Sequence, residues 1–360
     1  MLSRHGGNLS AASAEFGIPI EQWIDLSTGI SPWVWPVPSI PDAVWQRLPY
    51  ENNDLEISAG LAYGCSPSSV LAVPGSQYAI HKIPSLASSL ASSLVPSLAR
   101  PIDSLPASRK VAIPAAGYRE HKQSWESAGY DILLYASETE LLEILNQELI
   151  QFAVVINPNN PTTQTMAPQT LLLIASKLAK RRGFLIVDEA FADVAPQLSV
   201  SHYCPSPGLI VLRSIGKFFG LAGIRLGFVL GDPDLLAAIK KSLPIWTVTT
   251  VSRWLGEKAL SDCDWQLRQQ NRLRAGSEQW MKLIALRYPN LSLQLNPLFV
   301  TAAGEPKECL RIYQSLAKLG ILVRLFTHDE GFNGIRFGLP SESECQEFEK
   351  RLSESPNLFA

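Results

Sequence analysis

Cysteine is sparse and unpaired in this chain. Cys65, Cys204, Cys263, Cys309 and Cys345 are odd in number and nowhere spaced as CxxC. That spacing excludes a zinc knuckle and a disulfide framework of the usual kinds, and it fits a reducing cytoplasm. Histidine is as scarce: His81, His121, His202 and His328 lie far apart without ligand spacing, so no metal is expected. No run approaches the roughly 18 uninterrupted apolar residues of a membrane span, and the opening MLSRHGGNLS has no apolar core of signal-peptide length. Neither secretion nor membrane insertion is expected. Excess charge is missing too. Lys and Arg number 31 against 33 Asp and Glu, for a net charge of -2 and a pI near 6.2. Without a basic field the chain is not expected to bind nucleic acid, and any anionic ligand must be held by a local site.

What is present describes a globular protein, 46% hydrophobic and 18% charged. A length of 360 residues suffices for one large domain and a smaller one. Short apolar runs at Val70–Val73, Val111–Pro114, Ile132–Tyr135, Ala153–Ile156, Leu185–Val187, Leu209–Leu212 and Gly227–Leu230 alternate with helical patterns such as Tyr118–Ala128 and Pro168–Arg181. That rhythm predicts an α/β domain with a mostly parallel sheet covered on both faces. From about Val248 the texture changes to long helical patterns and then to strand-like runs, the signature of a second, α+β domain. The expected boundaries are a large domain at 46–247 and a small one formed by 1–45 and 248–360. Ser31–Pro41 reads as a rigid extended connection, and Pro84–Arg109, rich in Ser, Leu, Ala and Pro, as a helix followed by a loop without chemistry.

Polar residues gather where the predicted strands end. The run Arg213–Gly227, RSIGKFFGLAGIRLG, holds Lys217 among Gly216, Gly220, Gly223 and Gly227. That is too much glycine for a helix interior, so a loop whose backbone approaches a ligand is predicted. Phe152–Ile156 runs into Asn157-Pro158-Asn159-Asn160-Pro161-Thr162, and Phe184–Val187 runs into Asp188-Glu189-Ala190-Phe191. Open α/β sheets bind ligands at such strand ends. Upstream, Pro74-Gly75-Ser76-Gln77 is a glycine turn opening a helix, a ready anion site. Arg4-His5-Gly6-Gly7-Asn8 could wrap an anion or be a frayed terminus.

With these residues in this order, the chain from about Asp25 to Arg336 resembles the fold-type I, aspartate-aminotransferase-like enzymes that use pyridoxal 5′-phosphate. The resemblance implies a large domain with a mostly parallel seven-stranded sheet, and it implies the following roles. Lys217 condenses with the cofactor aldehyde as a Schiff base. Asp188 keeps the pyridine nitrogen protonated, so that the ring is an electron sink. Asn157 donates to the phenolate oxygen beside the substrate, and Tyr118 stacks on the ring. Gly75, Ser76, Gln77, Ser214 and Arg225 hold the cofactor phosphate. Tyr50 reaches the phosphate of a neighbouring subunit in a homodimer, and Arg336 grips the substrate carboxylate. Two positions depart from the pattern: Gly216 stands where many relatives have a serine or threonine, and Phe191 where histidinol-phosphate aminotransferases have a tyrosine.

Within that family, His5-Gly6-Gly7-Asn8, the turn Asp25–Ile30 containing Gly29, and the DEAF form of the aspartate motif are similar to the threonine-phosphate decarboxylases of cobalamin biosynthesis. This implies a small phosphorylated amino-acid substrate and therefore a second anion site. His5 and Arg324 match family positions, and Arg4 joins them by adjacency. The alternative is an aminotransferase acting on a phosphorylated substrate such as histidinol phosphate. A regulator built on the same fold would need a DNA-binding domain for which the chain has neither spare length nor a basic helix.

Overall fold

The computed structural model describes residues 5–50, 52–93, 109–148 and 150–355, and the chain divides into two compact units. The larger comprises 35–160 and 164–267, and the smaller 1–34, 161–163 and 268–360. Strand β1 (Ile24–Leu26) belongs to the smaller unit. The next seven strands, β2 (Val70–Val73), β3 (Lys110–Pro114), β4 (Asp131–Tyr135), β5 (Phe152–Ile156), β6 (Phe184–Asp188), β7 (Leu209–Ser214) and β8 (Gly227–Leu230), form the sheet of the larger unit. Their order is β2-β8-β7-β6-β5-β3-β4. All neighbours from β7 to β4 are parallel, while β8 runs antiparallel to both β7 and β2.

The inner strands are continuous apolar runs because both sheet faces are covered there, while the edge strand β4 is exposed at Asp131 and Leu134. β5 and β6 are buried at every position. Trp125, Tyr130, Phe152 and Phe184 form an aromatic cluster on one face, with centroids 4.7–5.5 Å apart along the chain of contacts. The helix Ser76–Ser93 covers part of that face. It continues through Pro84, where the sequence suggested a new stretch. Ile80, Ile83, Ala87 and Leu90, spaced three and four apart, are all buried in the core. Their burial outweighs the roughly 3 kcal/mol that an interior proline costs. The loop expected after this helix lies outside the described residues.

In the smaller unit, β1, β9 (Ser292–Asn296), β10 (Phe299–Ala303), β11 (Ile321–Phe326) and β12 (Gly334–Gly338) make a second sheet in the order β1-β11-β12-β10-β9. Only the β1–β11 pair is parallel. Helix Pro306–Lys318 packs its apolar side, including Cys309, Ile312 and Leu316, as part of the core of this unit.

The division differs from the expected boundaries at 45/46 and 247/248: residues 35–45 and 248–267 segregate with the larger unit. Trp35 donates its backbone amide to Phe219 at 2.9 Å and its indole to Asp262 at 3.1 Å. Helix Thr250–Ser261 lies against helix Asp54–Tyr63, joined by a bidentate Arg253–Glu56 pair at 2.6 and 3.1 Å. The change of texture read at Val248 therefore marks a change of layer, not of domain.

Candidate active site

In the larger unit, hydrogen-bond register aligns the strand ends on which the sequence places its polar residues: Ile156 pairs with Asp188, and Asp188 with Leu212. Asp188 closes β6 and is almost fully buried. One carboxylate oxygen accepts from the Ala190 amide at 3.0 Å, and the other lies 2.9 Å from Nε2 of His121. His121, itself 1% exposed, is in the first turn of helix Arg119–Ser127. Sequence reasoning considered His121 only as a metal ligand and so missed this partnership. The available signal was its position three residues after Tyr118, one helical turn along the same face.

Tyr118 precedes that helix and donates its hydroxyl to Gln77 at 2.9 Å; its ring meets His121 edge-on at 6.5 Å. Asn157 is fully buried directly after β5. Its backbone amide donates to the Asp188 carbonyl at 2.8 Å. Oδ1 accepts from the Met166 amide at 2.9 Å, which fixes the carboxamide orientation, and Nδ2 lies 3.2 Å from the carbonyls of Met166 and Leu198.

The anion turn is built by close approach. Gly75 has φ +81°, and a Cβ there would lie 2.8 Å from Nη2 of Arg225. The guanidinium is thus laid against the turn that starts helix Ser76–Ser93. Gly227, which pairs with Ser214, approaches from the other side: a Cβ on it would come within 2.4 Å of the Ser76 amide nitrogen. Helix N-terminal amides at Ser76, the backbone beside Ser214 and a permanent cation are therefore brought close together. Lys217 lies in the turn following β7, its Nζ 6.0 Å from the centre of the buried Phe191 ring. Gly216 permits that turn, because a Cβ there would be 3.1 Å from Cα of Ala222. The residues of the larger unit fit pyridoxal 5′-phosphate: a phosphate cradle at Gly75–Gln77 with Arg225, a buried carboxylate for a ring nitrogen, an amide donor, an aromatic face and a lysine amine.

Beneath the strand ends lies a buried charge cluster that the sequence did not reveal. Glu189 accepts from Arg213 at 2.7 Å, from the Ser199 and Ser201 hydroxyls at 2.5 and 2.9 Å, and from the Val200 amide at 2.7 Å. Arg213 also pairs with Asp193 at 2.5 Å and lies 4.4 Å over the Tyr63 ring. Burial pushes the Tyr63 phenol well up and holds the Asp193 carboxyl above its usual range, against the pull of Arg213. This cluster ties the residue after Asp188 to the residue before Ser214. Tyr50 is 56% exposed and lines a cleft with Ile57, Ile245 and Trp246 as well as Glu56, Lys240 and Arg253.

In the smaller unit, Arg324 and Arg336 are directly opposite on antiparallel β11 and β12, and so project from the same face. Both are buried. Arg336 donates to the Ser27 carbonyl, and Arg324 pairs with Glu330 at 2.5 Å. The ring of Phe326 lies 4.6 Å from the Arg324 guanidinium and 5.9 Å from that of Arg336. His5, Gly6, Ser27 and Arg324 line one small cleft. A Cβ on Gly6 would fall 2.2 Å from the Ser27 carbonyl, and Gly7 donates to the Ser27 hydroxyl at 2.7 Å. That contact explains the glycines after His5. Gly29 is buried in the turn following β1, and Arg4 lies outside the described residues.

Residues 71–352 match the family model for aminotransferase class I and II. The chain is 37% identical to a threonine-phosphate decarboxylase of Pseudomonas aeruginosa over 94% of its own length and 93% of that protein. A histidinol-phosphate aminotransferase of a Geobacter species is 28% identical over 55% of each chain. Among solved structures, a histidinol-phosphate aminotransferase of Sinorhizobium meliloti in complex with pyridoxal 5′-phosphate superposes with a TM-score of 0.79 at 19% identity, covering 100% of this chain and 99% of that one. The L-threonine-O-3-phosphate decarboxylase of Porphyromonas gingivalis gives 0.67 at 14%, over 92% and 99%.

Proposed function

Because the chain belongs to the class I and II aminotransferase family of pyridoxal 5′-phosphate enzymes, we propose that it decarboxylates L-threonine O-3-phosphate. The products are (R)-1-amino-2-propanol O-2-phosphate and CO2, in a step of cobalamin biosynthesis carried out in the cytoplasm. The observation that carries this reading is the likeness to a threonine-phosphate decarboxylase over nearly the whole of both chains, where likeness to the histidinol-phosphate aminotransferase spans about half. The paired Arg324 and Arg336 support it, since a substrate with a carboxylate and a phosphate needs two cations on one face.

When bound, the cofactor supplies an electron sink for the pair left at the substrate Cα. The other tasks fall to this chain. Gly75, Ser76, Gln77, Ser214 and Arg225 hold the cofactor phosphate. Asp188, fixed by His121 and the Ala190 amide, holds a proton on the ring nitrogen. Asn157, its Oδ1 fixed by the Met166 amide, would turn an Nδ2 hydrogen from the Met166 or Leu198 carbonyl to the phenolate oxygen. Tyr118 covers the ring. Lys217 anchors the aldehyde and returns a proton to Cα as general acid. Arg336 takes the α-carboxylate, and Arg324 with His5, Arg4 and the Gly29 turn takes the substrate phosphate. By holding the two anionic ends of the substrate, these cations would set which bond at Cα breaks, and loss of CO2 rather than of a proton would follow from that hold.

The exposed Tyr50, Ile245 and Trp246 support a homodimer in which Tyr50 reaches the partner's cofactor phosphate. A monomer in sedimentation would contradict that. The reaction itself is tested by incubating the protein and pyridoxal phosphate with L-threonine phosphate while following CO2 and amine together. Equimolar CO2 and aminopropanol phosphate are expected; conversion of the cofactor to its pyridoxamine form without CO2 would replace this reading with transamination.

A further inference from the structure

We infer that Glu120 is a positioning residue for the cofactor, an acceptor that fixes the Gln77 carboxamide so that its oxygen holds the hydroxyl of Tyr118. The inference rests on the reading of Tyr118 as the ring that covers the cofactor. Two helices that pack together meet at this point. Helix Ser76–Ser93 brings Gln77 and, one turn later, His81; helix Arg119–Ser127, which starts directly after Tyr118, brings Glu120 and Ser124. Tyr118 donates its hydroxyl to Oε1 of Gln77 at 2.9 Å, and Nε2 of Gln77 donates to Oε2 of Glu120 at 3.2 Å. The same Nε2 lies 2.6 Å from Nε2 of His81, whose Nδ1 is 2.9 Å from the Ser124 hydroxyl. The side chain of Glu120 is 13% exposed and that of His81 51%. Of the two partners of the Gln77 amide, the carboxylate is therefore the one better shielded from water.

A carboxamide can face its neighbours either way round, and the neighbours decide which. An ionised carboxylate only accepts, so it turns the amide nitrogen of Gln77 to Glu120 and leaves the oxygen for Tyr118. His81 agrees with this: with its proton on Nδ1, facing Ser124, its Nε2 accepts the second amide hydrogen. The one hydroxyl proton of Tyr118 is then given to Gln77, not to the substrate or the cofactor. Tyr118 thus serves as a cover and not as an acid, and its ring is tied to the turn Gly75–Gln77 that cradles the phosphate. Without Glu120 the turned-over amide competes, and the tie weakens.

The test measures the cofactor Kd by titrating apoenzyme with pyridoxal phosphate. Circular dichroism of the bound cofactor is a second reading, and urea unfolding of the apoenzyme is the control for structure. Glu120→Ala and Tyr118→Phe are each expected to raise Kd about three- to tenfold, as loss of one hydrogen bond allows. The double variant should raise it no further than the larger single effect, because both changes remove the same tie. Glu120→Met, which keeps the side-chain length and a good helix former, should match Glu120→Ala and guards against an alanine variant that fails to fold. Glu120→Gln keeps an acceptor oxygen for the Gln77 amide and should stay within about twofold of wild type. A Kd unmoved in Glu120→Ala and Glu120→Met, whatever their urea midpoints, overturns the inference and makes Glu120 a structural link between the helices. Multiplying effects in the double variant overturn it as well. If Tyr118→Ala leaves both the Kd and the dichroism at wild-type values, the reading of Tyr118 as ring cover fails, and the inference with it.

Discussion

Replacing Gly75 by alanine separates two costs that the structure assigns to different states. The first is conformational: at φ +81° a side chain costs about 1–2 kcal/mol, paid in apoenzyme and holoenzyme alike. The second concerns Arg225 alone. The new Cβ would lie 2.8 Å from Nη2 and 3.4 Å from Cζ, so the end of this exposed, flexible side chain must swing away from the turn. A charge-assisted hydrogen bond to a buried anion is worth about 1.5–3 kcal/mol. Losing it should raise the cofactor Kd by about 10- to 100-fold at 1.4 kcal/mol per decade. Titrating apoenzyme with pyridoxal phosphate by absorbance measures the Kd, and urea unfolding of the apoenzyme measures the backbone cost. Arg225→Ala supplies the control: if the clash acts through the guanidinium, adding Gly75→Ala to it should change Kd by less than about 0.5 kcal/mol. An unchanged Kd in Gly75→Ala, or full additivity in the double variant, would refute the cradle.

Two further outcomes follow from buried groups. His121→Leu removes one donor from the Asp188 carboxylate and leaves it the Ala190 amide, which should cost about 1.5–3 kcal/mol of stability; His121→Asn should recover part of it. Equal urea midpoints for wild type and His121→Leu would mean that the contact holds nothing. Burial pushes the Cys65 thiol from 9.0 up to about 11, and it raises the nearby Tyr63 phenol as well. Both hold their protons more tightly folded than unfolded. The contribution of Cys65 is whole below about pH 9 and is lost as pH rises through about 11, while that of Tyr63 persists to higher pH. Cys65→Ser should flatten that alkaline decline between urea midpoints at about pH 8.5 and about pH 10.5; parallel declines would exclude Cys65 as a source.

The seven strands of the larger sheet were legible because each is a short apolar run, and several of them end in a polar residue or a glycine, as in Phe184–Asp188. Lys217, Asp188 and Gly75 stood out as candidates for the same reason: a polar residue or a glycine at a strand end breaks the apolar pattern. The partners that hold them were not. His121 contacts Asp188 across 67 residues, and Glu189 contacts Arg213 across 24; such pairings depend on sheet order, which periodicity does not encode. Glu330 escaped notice because an acidic residue in a short turn reads as a solvated cap until β11 brings Arg324 to it. The unit boundary was misjudged at Val248 because helix Thr250–Ser261 is stripe-patterned like the helices after it, and only packing against Asp54–Tyr63 assigns it to the larger unit.

The claim on which the account rests is that Lys217 anchors the cofactor. Reducing the holoenzyme with borohydride, digesting it and locating the pyridoxyl group by mass spectrometry tests this directly. The label is expected on Lys217 alone, with none retained by Lys217→Ala. A label on another lysine, or undiminished labelling of the variant, would contradict it.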